Sequence, residues 1–290
     1  MSSMKSAIKY HGAKSYLAKR IVSLFPPHLH YVETHCGGCS VLFERDPLKD
    51  WMAGSGEKIT SSNRGCSEVI NDTNGKLTNF WRVLRDRFLF SRFQREIEAT
   101  PFSRREFLDS LGPDLGVVES AENFFVRCRQ SLAGRMDSFA AISRTRTRGG
   151  MNEQANAWWN AIDGLPEVHE RLRRVVIEND DAIKVIRRHD GPHTLFYCDP
   201  PYLHSTRETT SEYGDHEMTE SDHVLLIATL VCIQGKFVLS GYRNLLYDGF
   251  AAKHGWHRID IEIDNKASHR KQKEIKIESL WMNYVPRKGC

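Results

Sequence analysis

Four residues, Asp199-Pro200-Pro201-Tyr202, follow directly on the apolar run TLFYC. Two successive prolines cannot continue a central strand or a helix, and they stiffen the backbone. A carboxylate, a proline carbonyl and an aromatic ring are thereby held where a strand stops. Such a set suits a planar exocyclic amine: the carboxylate and the carbonyl accept its two hydrogens while the ring stacks on the heterocycle. The plain alternative is a rigid strand-to-loop turn.

Three further stretches carry chemistry. Glu33-Thr34-His35-Cys36-Gly37-Gly38-Cys39-Ser40 puts an acid and a glycine pair after a short apolar run, where glycines let a backbone approach a ligand closely. Asn71-Asp72 ends a second short run, the place where an acid grips ribose hydroxyls in nucleoside-binding α/β folds. Lys9-Tyr10-His11-Gly12-Ala13-Lys14 is basic and contains glycine. The residues His28, His30, His35, Cys36 and Cys39 are all good zinc ligands. If HYVETH is a strand, however, His30 and His35 point to opposite faces and the ligands must converge across a pleat. A redox role for the CGGC turn needs an activated first thiol at a helix start, and no thioredoxin-like pattern surrounds it.

The chain has 290 residues, 40% of them apolar, enough for one large domain or two. No apolar run approaches the ~20 residues of a membrane-spanning helix, and the start lacks a signal-peptide stretch, so the expected setting is the cytoplasm, with no membrane partner. Seven scattered cysteines fit reduced thiols better than a disulfide framework. The net charge of +4 decides little, but its distribution is uneven. Arg127, Arg129, Arg135, Arg144, Arg146 and Arg148 stand against Asp137 alone, a basic patch of the kind phosphates attract. The bland reading of that patch is a solvated face.

These residues need elements to position them. Short apolar runs (HYVET, SEVIND, RVVIEND, TLFYCD, KFVLSGY) alternate with helical-period segments such as GKLTNFWRVLRDRF, where Leu77, Phe80, Trp81 and Leu84 share a face. Ser40 reads as a helix cap, and WHRIDIEID with EIKIESLWMNY reads as a closing hairpin around the polar stretch 265–273. Repeated strand-helix units predict an α/β fold with a mostly parallel, Rossmann-like sheet, whose ligands bind beyond the carboxyl ends of the strands. The segment 88–173 breaks the rhythm and reads as an inserted, mainly helical subdomain, leaving 1–87 and 174–290 as the α/β domain. Within the insert, SRTRTRGG reads as a flexible loop.

In this order, HGAK, YVETHCGGCSVLF, VINDTN and FYCDPPY resemble the motifs of the D12 class of DNA adenine N6-methyltransferases, the Dam-like family, and ESLWMNY is similar to the family's carboxy-terminal strand. The resemblance covers most of the chain. It implies a methyltransferase fold, S-adenosylmethionine as cofactor, DNA as partner, and methylation of a flipped adenine by direct in-line attack. By the same resemblance, Asp199, Pro200 and Tyr202 are catalytic, and Tyr10, Lys14, Glu33, Gly37, Asp72 and Asp199 contact the cofactor. The region between the second-strand acid and DPPY reads DNA, which is where the six arginines fall. Two departures stand out: the family's EPF is Glu33-Thr34-His35 here, and Cys36 and Cys39 occupy its glycine turn. No FNxPxG-like stretch is present, so nothing points to GATC. The resemblance leaves open a role in DNA modification with or without a restriction enzyme. It competes with an N4-cytosine methyltransferase, a glutamine-modifying protein methyltransferase, which Asp199 argues against, and a DNA-binding protein with a decayed core.

Overall fold

The computed structural model describes residues 4, 6–10, 12–48, 65–203, 217–263 and 276–286. His11, the polar stretch 265–273 and Cys290 lie outside the described residues. The strands are β1 (His30–Glu33), β2 (Ser67–Asn71), β3 (Thr147–Arg148), β4 (Met151–Asn152), β5 (Val175–Glu178), β6 (Thr194–Cys198), β7 (Lys236–Tyr242), β8 (His257–Ile263) and β9 (Lys276–Met282). The main sheet runs β5-β2-β1-β6-β7-β9-β8. Its centre is parallel: β1 pairs with β2 and β6, and β6 with β7. Strand β9 then pairs antiparallel with both β7 and β8, which is the expected closing hairpin.

Two short helices, α1 (Ala18–Val22) and α2 (Ser40–Glu44), flank β1 in sequence. Ser40 is the first residue of α2, and its cap is Cys39, left-handed at φ 54°, with no side-chain cap bond. Ser40 is therefore not the expected cap. The next helices are α3 (Gly75–Arg85), α4 (Arg87–Ala99), α5 (Arg104–Asp109) and α6 (Val117–Gln130). They are followed by α7 (Glu153–Asp163), α8 (Leu165–Leu172), α9 (Ala182–His189), α10 (Glu220–Cys232) and α11 (Leu245–His254). Each of α3, α4 and α5 starts on an Asn, Asp or Ser whose side chain accepts from a first-turn N–H, satisfying donors that the helix leaves open.

The chain forms two compact units. One comprises Met1–Val22, Gly37–Arg45 and Asn74–Asn179; the other comprises Ser23–Cys36, Asp46–Thr73 and Asp180–Cys290. The helical segment expected over 88–173 is thus not set apart on its own. Its helices share a unit with α3, whose Leu77, Phe80, Trp81 and Leu84 are fully buried. Aromatic stacking explains this: Phe80 lies 4.8 Å from Trp81 and 6.0 Å from Phe125 of α6, and Phe125 lies 5.2 Å from Trp158 of α7. The FFVRCRQ and AWWNAID stretches therefore build a core, each buried ring contributing about 1.5–3 kcal/mol.

The segment SRTRTRGG departs from the loop reading. It forms a hairpin in which Thr147 faces Asn152 and Arg148 faces Met151. Gly149 (φ 57°) and Gly150 (φ 76°) take positive φ at both central positions. That is the requirement of the two-residue turn matching strand twist, which glycine meets without strain. Ser143 Oγ accepts from the Arg146 N–H at 3.0 Å, and Asn152 Nδ2 donates to the Ser143 carbonyl at 2.8 Å, closing the base of the hairpin.

In the second unit, strand alternation separates an apolar face from a polar one. Val32, Val69, Phe196, Cys198, Phe237, Leu239 and Trp281 pack on Val185 and Ile186 of α9, Leu226, Ile227 and Leu230 of α10, and Tyr247 and Ala251 of α11. At the end of β2, the fully buried Asn71 ties this unit together. Its Nδ2 donates to the Thr34 and Asp180 carbonyls, both at 3.0 Å, its Oδ1 accepts from the Asp180 N–H at 2.9 Å, and its own carbonyl accepts from Cys36 N–H at 2.8 Å. Replacing Asn71 by Ala leaves three backbone groups without their partner, the buried Thr34 carbonyl and the part-buried carbonyl and N–H of Asp180. The expected loss is about 2–4 kcal/mol of unfolding free energy in urea titration; a loss under about 0.5 kcal/mol would contradict the clamp.

Candidate active site

The first cluster of site residues belongs to the amino-terminal segment and the glycine turn, within the first unit. Gly37 has φ 45°, and a Cβ there would stand 3.2 Å from the Tyr10 ring. At Gly38 a Cβ would make only ordinary contacts, 3.4 Å from Tyr10 and 3.5 Å from Ala13. Glycine is thus required at 37 by conformation and by the ring laid against it. The turn's carbonyls are also held: Trp81 Nε1 donates to Gly37 O at 3.1 Å, and Ser6 Oγ to Gly38 O at 2.6 Å. Lys14 is buried, and its Nζ donates to the Gly12 carbonyl at 3.2 Å.

Arg129 supports this cluster from below. Its Nε and a terminal nitrogen donate to the Ala7 and Ser6 carbonyls at 2.6 and 3.0 Å, and burial brings its pKa down to about 10. Arg127 is similarly held, donating to the Asn123 carbonyl at 3.1 Å and lying 3.8 Å from Asp114. Arg135, Arg144, Arg146 and Arg148 are exposed; Arg146 reaches Glu153 at 3.7 Å. The basic patch read from spacing therefore divides into two braces and four solvent-facing cations.

The second cluster lies at the carboxyl ends of β1, β2 and β6, within the second unit. Glu33, the last residue of β1, is 1% exposed and accepts from the Tyr31 hydroxyl at 2.7 Å. The half-buried Asp72 follows directly on β2. Asp199 and Pro200 follow β6, where the register puts Tyr197 beside Glu33. Cys198 faces the apolar core, and burial pushes its thiol up to about 12. It is no nucleophile. Tyr202, four residues past β6, donates its hydroxyl to Glu278 of β9 at 2.5 Å, and its ring lies 4.5 Å from Tyr242 of β7. Burial, Asp199 and Glu278 together keep that hydroxyl protonated.

Glu278 and its second donor, Ser240, were not among the residues singled out from sequence. A signal was present: in KIESLWM, Glu278 falls in phase with Leu280 and Met282, both fully buried. An acid in phase with buried apolar neighbours must have a partner.

The histidines and cysteines of the opening stretch go separate ways. His28 Nδ1 donates to the Pro26 carbonyl at 2.7 Å, and His30 Nε2 meets His189 Nδ1 at 3.0 Å. His35 lies beyond the end of β1, its Nδ1 2.9 Å from Thr34 Oγ1. Cys36 and Cys39 are buried thiols. Among the described residues, no three His, Cys, Asp or Glu are grouped to hold a metal ion, and no helix is long and apolar enough to cross a membrane.

With this geometry in view, the family comparison is decisive: the model of the D12 class N6 adenine-specific DNA methyltransferases matches residues 10–261. The chain belongs to this family. The matched span includes the Tyr10 segment, the glycine turn, Asp72 and the DPPY strand end. No curated protein matches the chain. Among solved structures, the chain is similar to a candidate RNA methyltransferase, PH1948, from Pyrococcus horikoshii. The two are 9% identical with a TM-score of 0.34, over 92% of this chain and 79% of the other, a likeness too low to argue from. As a D12 enzyme the protein is an adenine-specific DNA methyltransferase, and DNA is its substrate.

One departure from the D12 pattern has a measurable consequence. Burial and the nearby His223 lower the pKa of His35 from 6.5 to about 3. Between those values the unfolded chain binds the extra proton, so stability falls as pH drops from about 6.5 toward 3. His35→Phe is expected to remove that component. Unfolding midpoints at pH 7.5 and 5 should lie closer together in the variant than in the parent protein, and an equal separation would contradict the assignment.

Proposed function

We propose that this D12 enzyme uses S-adenosylmethionine, held by Tyr10, Lys14, Glu33, Gly37, Asp72 and Asp199. The chemistry of these residues fits the group. The Glu33 carboxylate, buried at a strand end, suits an ammonium, and Asp72 suits ribose hydroxyls. Tyr10 over Gly37 offers an aromatic wall against close-packed backbone. When bound, the cofactor supplies an electrophilic methyl group on a sulfonium.

The chain's own part is to make an aromatic amine nucleophilic. The lone pair of adenine N6 is delocalised into the ring. The Asp199 carboxylate and the Pro200 carbonyl would accept the two N6 hydrogens and draw the lone pair onto nitrogen, making the amine able to attack a methyl donor. Asp199 then holds the proton the amine must lose. No covalent enzyme intermediate is needed, in keeping with a Cys198 thiol turned into the core. Tyr202 stacks on the adenine, which must leave the duplex at a cost of about a few kcal/mol.

DNA contacts offset that cost. We assign them to the segment 88–173, as the target-recognition region of an α/β domain formed by 1–87 and 174–290. The four exposed arginines Arg135, Arg144, Arg146 and Arg148 reach phosphates, while Arg127 and Arg129 brace the fold behind them. A DNA substrate and buried thiols suit the cytoplasm. The single observation that carries the reading is the strand-end set Asp199-Pro200-Tyr202 within the D12 match.

Asp199→Ala should abolish transfer of a labelled methyl group to DNA, by at least about 10³-fold, while DNA affinity stays within about twofold. Retained turnover would overturn the mechanism. Replacing Arg144, Arg146 and Arg148 together by Ala should weaken DNA binding and lower the slope of log affinity against log salt by about two to three. An unchanged slope would mean that the hairpin is only solvated.

A further inference from the structure

The double proline fixes the backbone before Tyr202 but leaves its side-chain torsions free. A ring that stacks on an extruded base must nevertheless be in place when the base arrives, or each turnover meets the cost of ordering it. The far end of the ring is anchored in this structure. The Tyr202 hydroxyl donates to Glu278 Oε1 at 2.5 Å, and Ser240 Oγ donates to the same oxygen at 2.6 Å. Glu278 is itself fixed by strand pairing: in β9 it stands opposite Tyr242 of β7 and Ile261 of β8. Tyr242 supplies the ring contact that bounds Tyr202 on one side.

Glu278 is an expensive residue for this place. It is 1% exposed and lies in phase with Leu280 and Met282. Burying a carboxylate costs several kcal/mol unless donors compensate, and a well-packed apolar residue would serve the fold as well or better. Two hydroxyls among the described residues, those of Tyr202 and Ser240, donate to it, and one of them belongs to the DPPY motif.

We infer that Glu278 is a positioning residue: supported by Ser240, it latches the Tyr202 hydroxyl and pre-sets the ring that receives the target adenine. The inference rests on the reading of Tyr202 as the stacking ring. Because burial and the two nearby carboxylates keep the Tyr202 hydroxyl protonated, the latch donates across the whole working pH range. Its requirement is for an acceptor at position 278, not for a charge. A glutamine there retains one amide oxygen able to accept from both hydroxyls.

The test compares methyl-transfer kinetics and DNA affinity for Tyr202→Phe, Glu278→Leu, Glu278→Gln, the double variant Tyr202→Phe with Glu278→Leu, and Tyr202→Ala, on a duplex bearing the methylation site. Tyr202→Phe and Glu278→Leu should each lower kcat by about tenfold with little change in DNA affinity, and the double variant should be no slower than either. Glu278→Gln should recover to within about threefold of the parent. A Tyr202→Phe enzyme at the parental rate, single losses that multiply in the double variant, or a Glu278→Gln enzyme as slow as Glu278→Leu would each overturn the latch. Should Glu278→Leu fail to fold, Tyr202→Phe and Glu278→Gln still decide the matter. Parental turnover by Tyr202→Ala would remove the stacking reading itself, and the latch with it, whereas a dead Tyr202→Ala beside a fully active Tyr202→Phe removes the latch alone.

Discussion

Parallel pairing of β1 with both β2 and β6 is the constraint on which the chemistry depends. It sets Val32 against Val69 on one side and Phe196 on the other, and so brings the three carboxyl ends level. Glu33, Asp72 and Asp199 then arrive at one edge from segments far apart in sequence. A slip of one residue in any of these strands would exchange its faces, turning Glu33 or Tyr197 into the apolar core and Val32 or Phe196 out of it. The helices α9, α10 and α11 make such a slip costly because they pack on Val32, Phe196 and Cys198. Asn71 locks the same level from the end of β2, with bonds to Thr34, Cys36 and Asp180.

The opposite face of these strands spends some of the stability that the apolar face provides. Glu33 and Glu278 are both buried carboxylates, and each is compensated by hydroxyl donors: Tyr31 for the first, Tyr202 and Ser240 for the second. Such buried polar networks hold side chains to one geometry. That is what a site requires when it must order an amine, a ring and a methyl donor together. In the other unit the same problem has a different solution. There Gly37 and Gly38 let Tyr10 lie directly on the backbone, while Trp81, Ser6 and Arg129 fix the carbonyls around it.

Much of this was legible in the residues. Short apolar runs marked the strands of the main sheet, and the order of Tyr10, Gly37, Asp72 and DPPY pointed to a D12 enzyme before any geometry. What escaped was what depends on partners distant in sequence. Arg129 looked like a free cation in a basic run, because nothing local shows that it is bonded to Ser6 and Ala7, more than 120 residues away. SRTRTRGG looked like a loop because a two-residue strand is too short to show alternation, although its Gly-Gly pair carried the turn signal. The conspicuous histidines and cysteines drew attention through type alone, while Glu278, one acid within an apolar strand, drew none.

The central claim is that the strand-end set on β6 methylates adenine at N6. The most direct measurement is to incubate the purified protein with S-adenosylmethionine and unmodified plasmid DNA and read every modified base by modification-aware sequencing. The account predicts N6-methyladenine confined to one recurring sequence context. Methyl groups on cytosine N4, or DNA that stays unmodified under conditions where the protein binds it, would contradict the account.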